Sequence, residues 1–139
     1  MFEVILLGIV INNTDIDCLA MNVYHEARSE SIAGQYAVAY VTLNRVKDNR
    51  FPNSVCDVVQ QKKKNVCQFS WYCDGLSDNV YELNTFKRIK NTLNQLQHVK
   101  DPTEGATHYH SKKIYPYWAP TLQHTKIIGE HTFYKWRKR

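Results

Sequence analysis

No part of this 139-residue chain is apolar for long enough to cross a bilayer. The N-terminal apolar run, residues 4–11, falls well short of the roughly 20 residues that a spanning helix needs. Glu3 rather than Lys or Arg precedes it, and no small-residue cleavage site follows. No export signal is therefore visible, and a buried strand or short packing helix is expected instead, with no stable membrane insertion. Glycine (5) and proline (4) are sparse, and no internal repeat, low-complexity tract or linker interrupts the chain. That pattern leaves a single domain over residues 1–139, long enough to bury its own core. Cysteine is limited to Cys18, Cys56, Cys67 and Cys73, whose spacing fits neither a zinc ribbon nor a thioredoxin motif. Outside the cytosol they allow two disulfides in any of three connectivities. Cys18, near the inward face of a helix, reads equally well as a free buried thiol.

Acidic residues are outnumbered, 13 against 18 Lys and Arg, which gives a net charge of +5 and a pI near 9.0. Such a balance suits an acidic partner: nucleic acid, a membrane surface or an anionic wall polymer. Lys62-Lys63-Lys64 and residues 135–139 are basic clusters that read first as a solvated loop and tail.

Aromatics are abundant: nine Tyr, three Trp and five Phe. Beside them the most informative stretch is Asn22-Val23-Tyr24-His25-Glu26-Ala27-Arg28-Ser29-Glu30. Ile16, Leu19, Ala20, Val23 and Ala27 recur at three- and four-residue steps, the apolar stripe of an amphipathic helix. At about 100° per residue, Glu26 lies about 20° from Leu19. A carboxylate at the border of an inward face must be paired or put to use. Desolvation there raises its pKa and keeps it protonated, as a general acid requires.

Along the chain, Thr14 with Asp17 reads as the start of this first helix, which runs to about Arg28. Ser29 and Gly34 mark a break. Residues 33–46 are apolar on most faces, as in a central buried helix, and leave Asn44 and Arg45 in need of partners. Asn53 or Ser54 caps a short helix through Gln61, and residues 66–75 read as a loop or hairpin. Asp78 or Asn79 is expected to cap a long scaffolding helix to about Val99, with Phe86, Ile89, Leu93 and Leu96 inward. The remainder reads as loops and short strands. The sum is a mainly helical α+β fold.

These pieces resemble the cell-wall hydrolases of the spore cortex-lytic enzyme type (SleB/CwlJ), also found among phage lysis proteins. The residues that carry the resemblance are Tyr24-His25-Glu26-Ala27-Arg28-Ser29-Glu30, Gly34-Gln35 with Ala37-Val38-Ala39, and Leu43-Asn44-Arg45-Val46. It continues through Arg50-Phe51-Pro52, Gln68-Phe69-Ser70-Trp71, Ala106-Thr107-His108-Tyr109, and Ile128-Gly129 with His131, Phe133 and Tyr134. It covers about residues 19–136. The resemblance implies a compact lysozyme-like (lytic transglycosylase-like) fold with a small β element, acting on peptidoglycan glycan strands, with Glu26 as the catalytic glutamate. Ser29 departs from the family's usual glycine there, and no spore-cortex targeting segment is visible. A stand-alone enzyme is then expected, a phage endolysin or a wall-remodelling enzyme that acts in the periplasm or outside the cell, reaching the wall by phage lysis or a similar route.

The reaction so implied cleaves the β-1,4 bond between N-acetylmuramic acid and N-acetylglucosamine. Glu26 delivers a proton to the leaving oxygen and then, as base, activates the muramic 6-hydroxyl to give a 1,6-anhydro end. Glu30 is a candidate second carboxylate for a hydrolytic muramidase; pairing with Arg28 or Arg45, or capping the next helix, is its structural alternative. Arg28 is a candidate to hold Glu26 or substrate. Gln68, Ser70 and Trp71 offer amide, hydroxyl and indole groups to sugars, with Phe69 in the core. His108 and His110 alternate to one face of a strand and Tyr109 to the other, so His108, Tyr109, Tyr117 and Trp118 are groove candidates. His-x-His suggests zinc, and hence an amidase or endopeptidase, but no acidic residue completes a usual ligand set. No metal or cofactor is expected, nor a nucleic-acid partner, and the protein is expected to be a monomer. The remaining competitor is a basic, aromatic-rich binding protein without catalysis.

Overall fold

The computed structural model describes residues 3–6 and 8–138. It is mixed helix and sheet, mainly helical. A hairpin of β1 (Glu3–Leu6) and β2 (Ile9–Asn12) leads into helix α1 (Asn13–Ala27). The apolar N-terminal run is thus a strand pair, turned at Gly8 with φ +80°; Leu7 lies outside the described residues. The start of α1 differs from the Thr14/Asp17 expectation. Asn12 Oδ1 accepts from the Asp15 amide at 2.9 Å, while the Asn12 amide donates to Asp15 Oδ2 at 3.1 Å. This reciprocal cap satisfies two donors that a helix start leaves unpaired, and it fixes the register two residues earlier. All five stripe residues, Ile16, Leu19, Ala20, Val23 and Ala27, are buried.

Helix α2 (Ile32–Lys47) starts at Ser31, whose hydroxyl accepts from the Gly34 amide at 3.2 Å. It is buried on most faces from Ala37 to Leu43, as a central helix should be. Its polar end finds partners. Asn44 Nδ2 donates to Asp101 Oδ2 and to the Ala106 carbonyl, both at 2.9 Å, and Arg45 Nε donates to the Thr107 carbonyl at 2.7 Å. Helix α3 (Val55–Val59) is capped by Ser54 and ends two residues before Gln61. A small hairpin, β3 (Lys62–Lys63) and β4 (Val66–Cys67), turns through Lys64 and Asn65 at positive φ. The lysine cluster is its exposed tip, and a short 3-10 turn follows at Ser70–Tyr72.

The long scaffolding helix is shorter than expected. Helix α4 spans Leu83–Leu93, with a separate 3-10 turn at Leu96–His98. The Tyr24 hydroxyl accepts from the amides of Tyr81 (3.2 Å) and Glu82 (3.1 Å). That bond holds residues 81–82 against α1 and satisfies donors just ahead of the helix, so Asp78 and Asn79 cap nothing. Ile89, Leu93 and Leu96 are buried, and Phe86 packs partly buried against the same core. The C-terminal third forms a three-stranded antiparallel sheet in the order β5 (His108–Ser111), β7 (His131–Lys135), β6 (Gln123–Ile128).

All four cysteines are paired, Cys18 with Cys56 and Cys67 with Cys73, so Cys18 is not a free thiol. The first bond ties α1 to α3 across 38 residues, whereas the second closes a loop of 6. Loop-closure entropy gives about 4 kcal/mol for the former and about 2 kcal/mol for the latter. Urea unfolding of Cys18→Ala/Cys56→Ala is therefore expected to show the larger loss, roughly twice that of Cys67→Ala/Cys73→Ala.

Candidate active site

Glu26 sits in the last turn of α1, at the border of the stripe that faces the core. Across from it, β5 presents Tyr109, whose hydroxyl donates to Glu26 Oε1. Burial pushes the Glu26 carboxyl above its ordinary value of 4.5; the Tyr109 hydrogen bond and the Arg45 charge pull the other way but do not cancel it. Tyr109 is itself pushed well above the ordinary tyrosine range by burial and by the neighbouring carboxylate. It stays a neutral donor throughout.

Arg45 is the cation behind this pair. Its guanidinium lies between the rings of Phe51 (4.9 Å) and Phe69 (5.0 Å). Burial lowers its pKa to about 10, so it remains charged at neutral pH. Its Nε holds the Thr107 carbonyl, one residue before β5, so the same side chain anchors the strand that carries Tyr109. The sequence marked Arg45 as a polar group in need of a partner and as a possible partner of Glu30, not as the cation behind Glu26.

Glu26 opens onto a cleft of about 280 Å³ shared with His25, Arg28, Glu30 and His131. His25 stacks on Trp71, with ring centroids 4.3 Å apart, and its Nε2 lies 3.2 Å from the Asp78 carbonyl oxygen. Trp71 is only 9% exposed, and its indole donates to the Asn22 side chain at 2.9 Å. Trp71, whose indole the sequence offered to sugars, is thus a buried brace under His25. Asn22, a fully buried polar residue, was not singled out by the sequence reading; its place in the apolar run of α1 was the available signal.

Arg28 does not hold Glu26. Its Nε pairs with Glu82 Oε2 at 2.9 Å and its guanidinium lies 4.8 Å from the Tyr24 ring centroid, which leaves it at the rim of the cleft. Glu30 pairs with neither Arg28 nor Arg45. Helix α1 stops at Ala27, so no helical turn carries Glu30 back alongside Glu26. Its Oε1 instead accepts from the Glu130 amide at 3.0 Å and lies 3.9 Å from His131 Nδ1. Two glycines make room for it. A Cβ at Gly34 would sit 2.9 Å from the Glu30 Cβ, and one at Gly129 would collide with the carboxylate.

Gln68, His108 and Trp118 come together elsewhere, in a second cleft of about 430 Å³. His108 and His110 share one face of β5, both within 6 Å of the Trp118 ring, and Tyr109 takes the other, as the alternation required. Burial and the Arg45 charge lower the His108 pKa to about 4, which keeps its imidazole neutral. Phe69 is in the core; Ser70 is exposed and lines a separate hollow beside the Cys67–Cys73 bond. Among the described residues no group of three or more His, Cys, Asp or Glu gathers as metal ligands would. No helix of the described residues is long and apolar enough to cross a membrane.

Solved structures share this small, mainly helical α+β fold. The catalytic domain of the Bacillus cereus SleB protein superposes with a TM-score of 0.69 at 33% identity, over 90% of this chain and 92% of that one. The catalytic domain of the germination-specific lytic transglycosylase SleB from Bacillus anthracis gives 0.70 at 33%, over 89% and 96%. The cell wall hydrolase family model matches residues 29–134, and the chain belongs to that family. Among full-length relatives, a spore cortex-lytic enzyme of Bacillus cereus is 34% identical over 125 residues, and one of Halalkalibacterium halodurans is 32% identical over 123. These matches take in 89% and 88% of this chain but only 45% and 35% of the relatives, so the chain spans less than half their length.

The role of Glu30 separates by substitution. Glu30→Gln keeps an acceptor for the Glu130 amide and is expected to retain the wild-type melting temperature and wall-lysing rate. Glu30→Ala removes that acceptor from an exposed amide that water can reach and is expected to cost about 0.5–1.5 kcal/mol in thermal unfolding. A second catalytic carboxylate would lose its activity in both variants.

Proposed function

We propose that residues 1–139 form a catalytic domain that cleaves the β-1,4 bond between N-acetylmuramic acid and N-acetylglucosamine in peptidoglycan, as a lytic transglycosylase. The observation that carries this reading is Glu26: a carboxyl raised by burial, held by a neutral hydroxyl, at the wall of an open cleft. Family membership and the SleB likeness support the substrate class, and the lytic transglycosylase named for Bacillus anthracis supports the reaction.

The protonated Glu26 gives its proton to the glycosidic oxygen as the bond to the muramic C1 breaks. The positive anomeric centre is stabilised by the substrate's own N-acetyl group. Glu26, now a carboxylate, keeps the Tyr109 hydrogen bond and the Arg45 field, both of which favour the charged form. It then takes the proton of the muramic 6-hydroxyl while O6 bonds to C1, which restores the acid and closes the 1,6-anhydro ring. No second carboxylate enters this sequence, and Glu30 is bound to the Glu130 amide. The two disulfides suit work in an oxidising place outside the cytosol, at the wall.

Glu26→Gln is expected to lower lysis of purified peptidoglycan by at least about 10²–10⁴-fold, the size of a general acid's contribution. Mass spectrometry of the wild-type digest is expected to show 1,6-anhydro-muramic ends. Reducing muramic ends would mean a hydrolytic muramidase. Intact glycan with freed peptides would overturn the glycosidase reading in favour of an amidase or endopeptidase.

A further inference from the structure

The second cleft is larger than the one at Glu26 and differs in chemistry. Its wall is aromatic: Tyr117, Trp118 and Trp136, with the neutral His108 beside them. Polar groups come from Gln68 and from Lys63 at the tip of the β3–β4 hairpin, both exposed. The surroundings are cationic. Arg50 lies 4.5 Å from the Trp136 ring centroid, and Arg137 is pinned beside Thr121 by hydrogen bonds to the Thr121 and Pro120 carbonyls at 3.2 Å. Asp48, which accepts from the Trp136 indole at 2.8 Å, is neutralised by Arg50 at 3.1 Å. An occupant must therefore carry negative charge and apolar surface together.

The cleft backs onto the reaction site through β5 and Arg45. His108 and Tyr109 project to opposite faces of that strand, and the Arg45 charge acts on both His108 and Glu26. The peptide branch of the same substrate carries both carboxylates and aliphatic side chains, the combination this cleft suits.

We infer that the cleft formed by Lys63, Gln68, His108, Trp118 and Trp136 seats the acidic stem peptide borne by the muramic residue being cleaved. The inference rests on the glycan-strand reading above and adds which part of the substrate this face takes. Peptide carboxylates meet Lys63, aliphatic side chains lie on the two indoles, and peptide amides meet Gln68. At about 3.4 Å per extended residue, three peptide residues reach about 10 Å from the muramic residue that bears them. The cleft then makes the enzyme prefer strands that still carry peptides.

The test reads binding rather than catalysis. The nitrogen-15-labelled protein is titrated with a soluble stem tripeptide, with an N-acetylglucosamine oligomer and with a polyol-phosphate wall polymer. The tripeptide is expected to shift the indole N–H signals of Trp118 and Trp136 and leave Trp71 in place, since that indole is buried against Asn22. Lys63→Glu, at an exposed hairpin tip, is expected to weaken that binding by up to about fivefold, the upper size of one exposed ion pair. The inference is overturned by silent Trp118 and Trp136 signals, by binding that survives Lys63→Glu unweakened, or by the sugar or phosphate polymer replacing the peptide. Failure of the glycosidase reading is seen separately, as lysis that persists in Glu26→Gln.

Discussion

The fold converges on one hydrogen bond, from the Tyr109 hydroxyl to the Glu26 carboxylate. Its donor comes from the C-terminal sheet and its acceptor from the first helix, 83 residues apart in sequence. Holding them together needs both elements fixed. The Asn12/Asp15 cap and the Cys18–Cys56 bond secure α1, while Asn44 and Arg45 of α2 grip the carbonyls of Ala106 and Thr107 just ahead of β5. On the far side of the cleft, Glu30 fastens the β6–β7 turn through the Glu130 amide. The first two clamps fix the helix that carries Glu26, and the third fixes the approach to the strand that carries Tyr109.

The electrostatics of the pair are a balance of opposed effects. Burial favours the neutral carboxyl; the hydroxyl and the Arg45 cation favour the charged one. In the proposed reaction Glu26 gives up a proton and then recovers it, and such a group benefits from both. Arg45 can be kept charged so deep because two aromatic faces and a carbonyl receive it, in place of a directly paired carboxylate. Its charge also reaches His108, which it helps to hold neutral at the edge of the second cleft.

The helical core was legible because its signals are local. The Ile16–Ala27 stripe, the Ser54 start and the β5 alternation depend on neighbours within a turn or two. Glu26 stood out for the same reason, as a carboxylate on the wrong side of its helix. What was not legible depends on chain brought from far away. The Tyr24 hydroxyl sits 57 residues before the amide whose capture displaces the start of α4. Trp71 looked like a sugar platform until Asn22 and His25, on a different element, enclosed it. Glu30 looked like a helical neighbour of Glu26 because the break at Ser29 was visible but not its consequence, a carboxylate turned towards an amide 100 residues on.

The proposed catalysis needs a Glu26 carboxyl that burial keeps protonated above the ordinary range. Carbon-detected NMR titration of the Glu26 side-chain carboxyl measures this directly. The midpoint is expected above 4.5, and further up in Tyr109→Phe, where the hydrogen bond that favours the charged form is gone. A midpoint at or below 4.5 in the wild-type protein, or a downward move in Tyr109→Phe, would contradict the account.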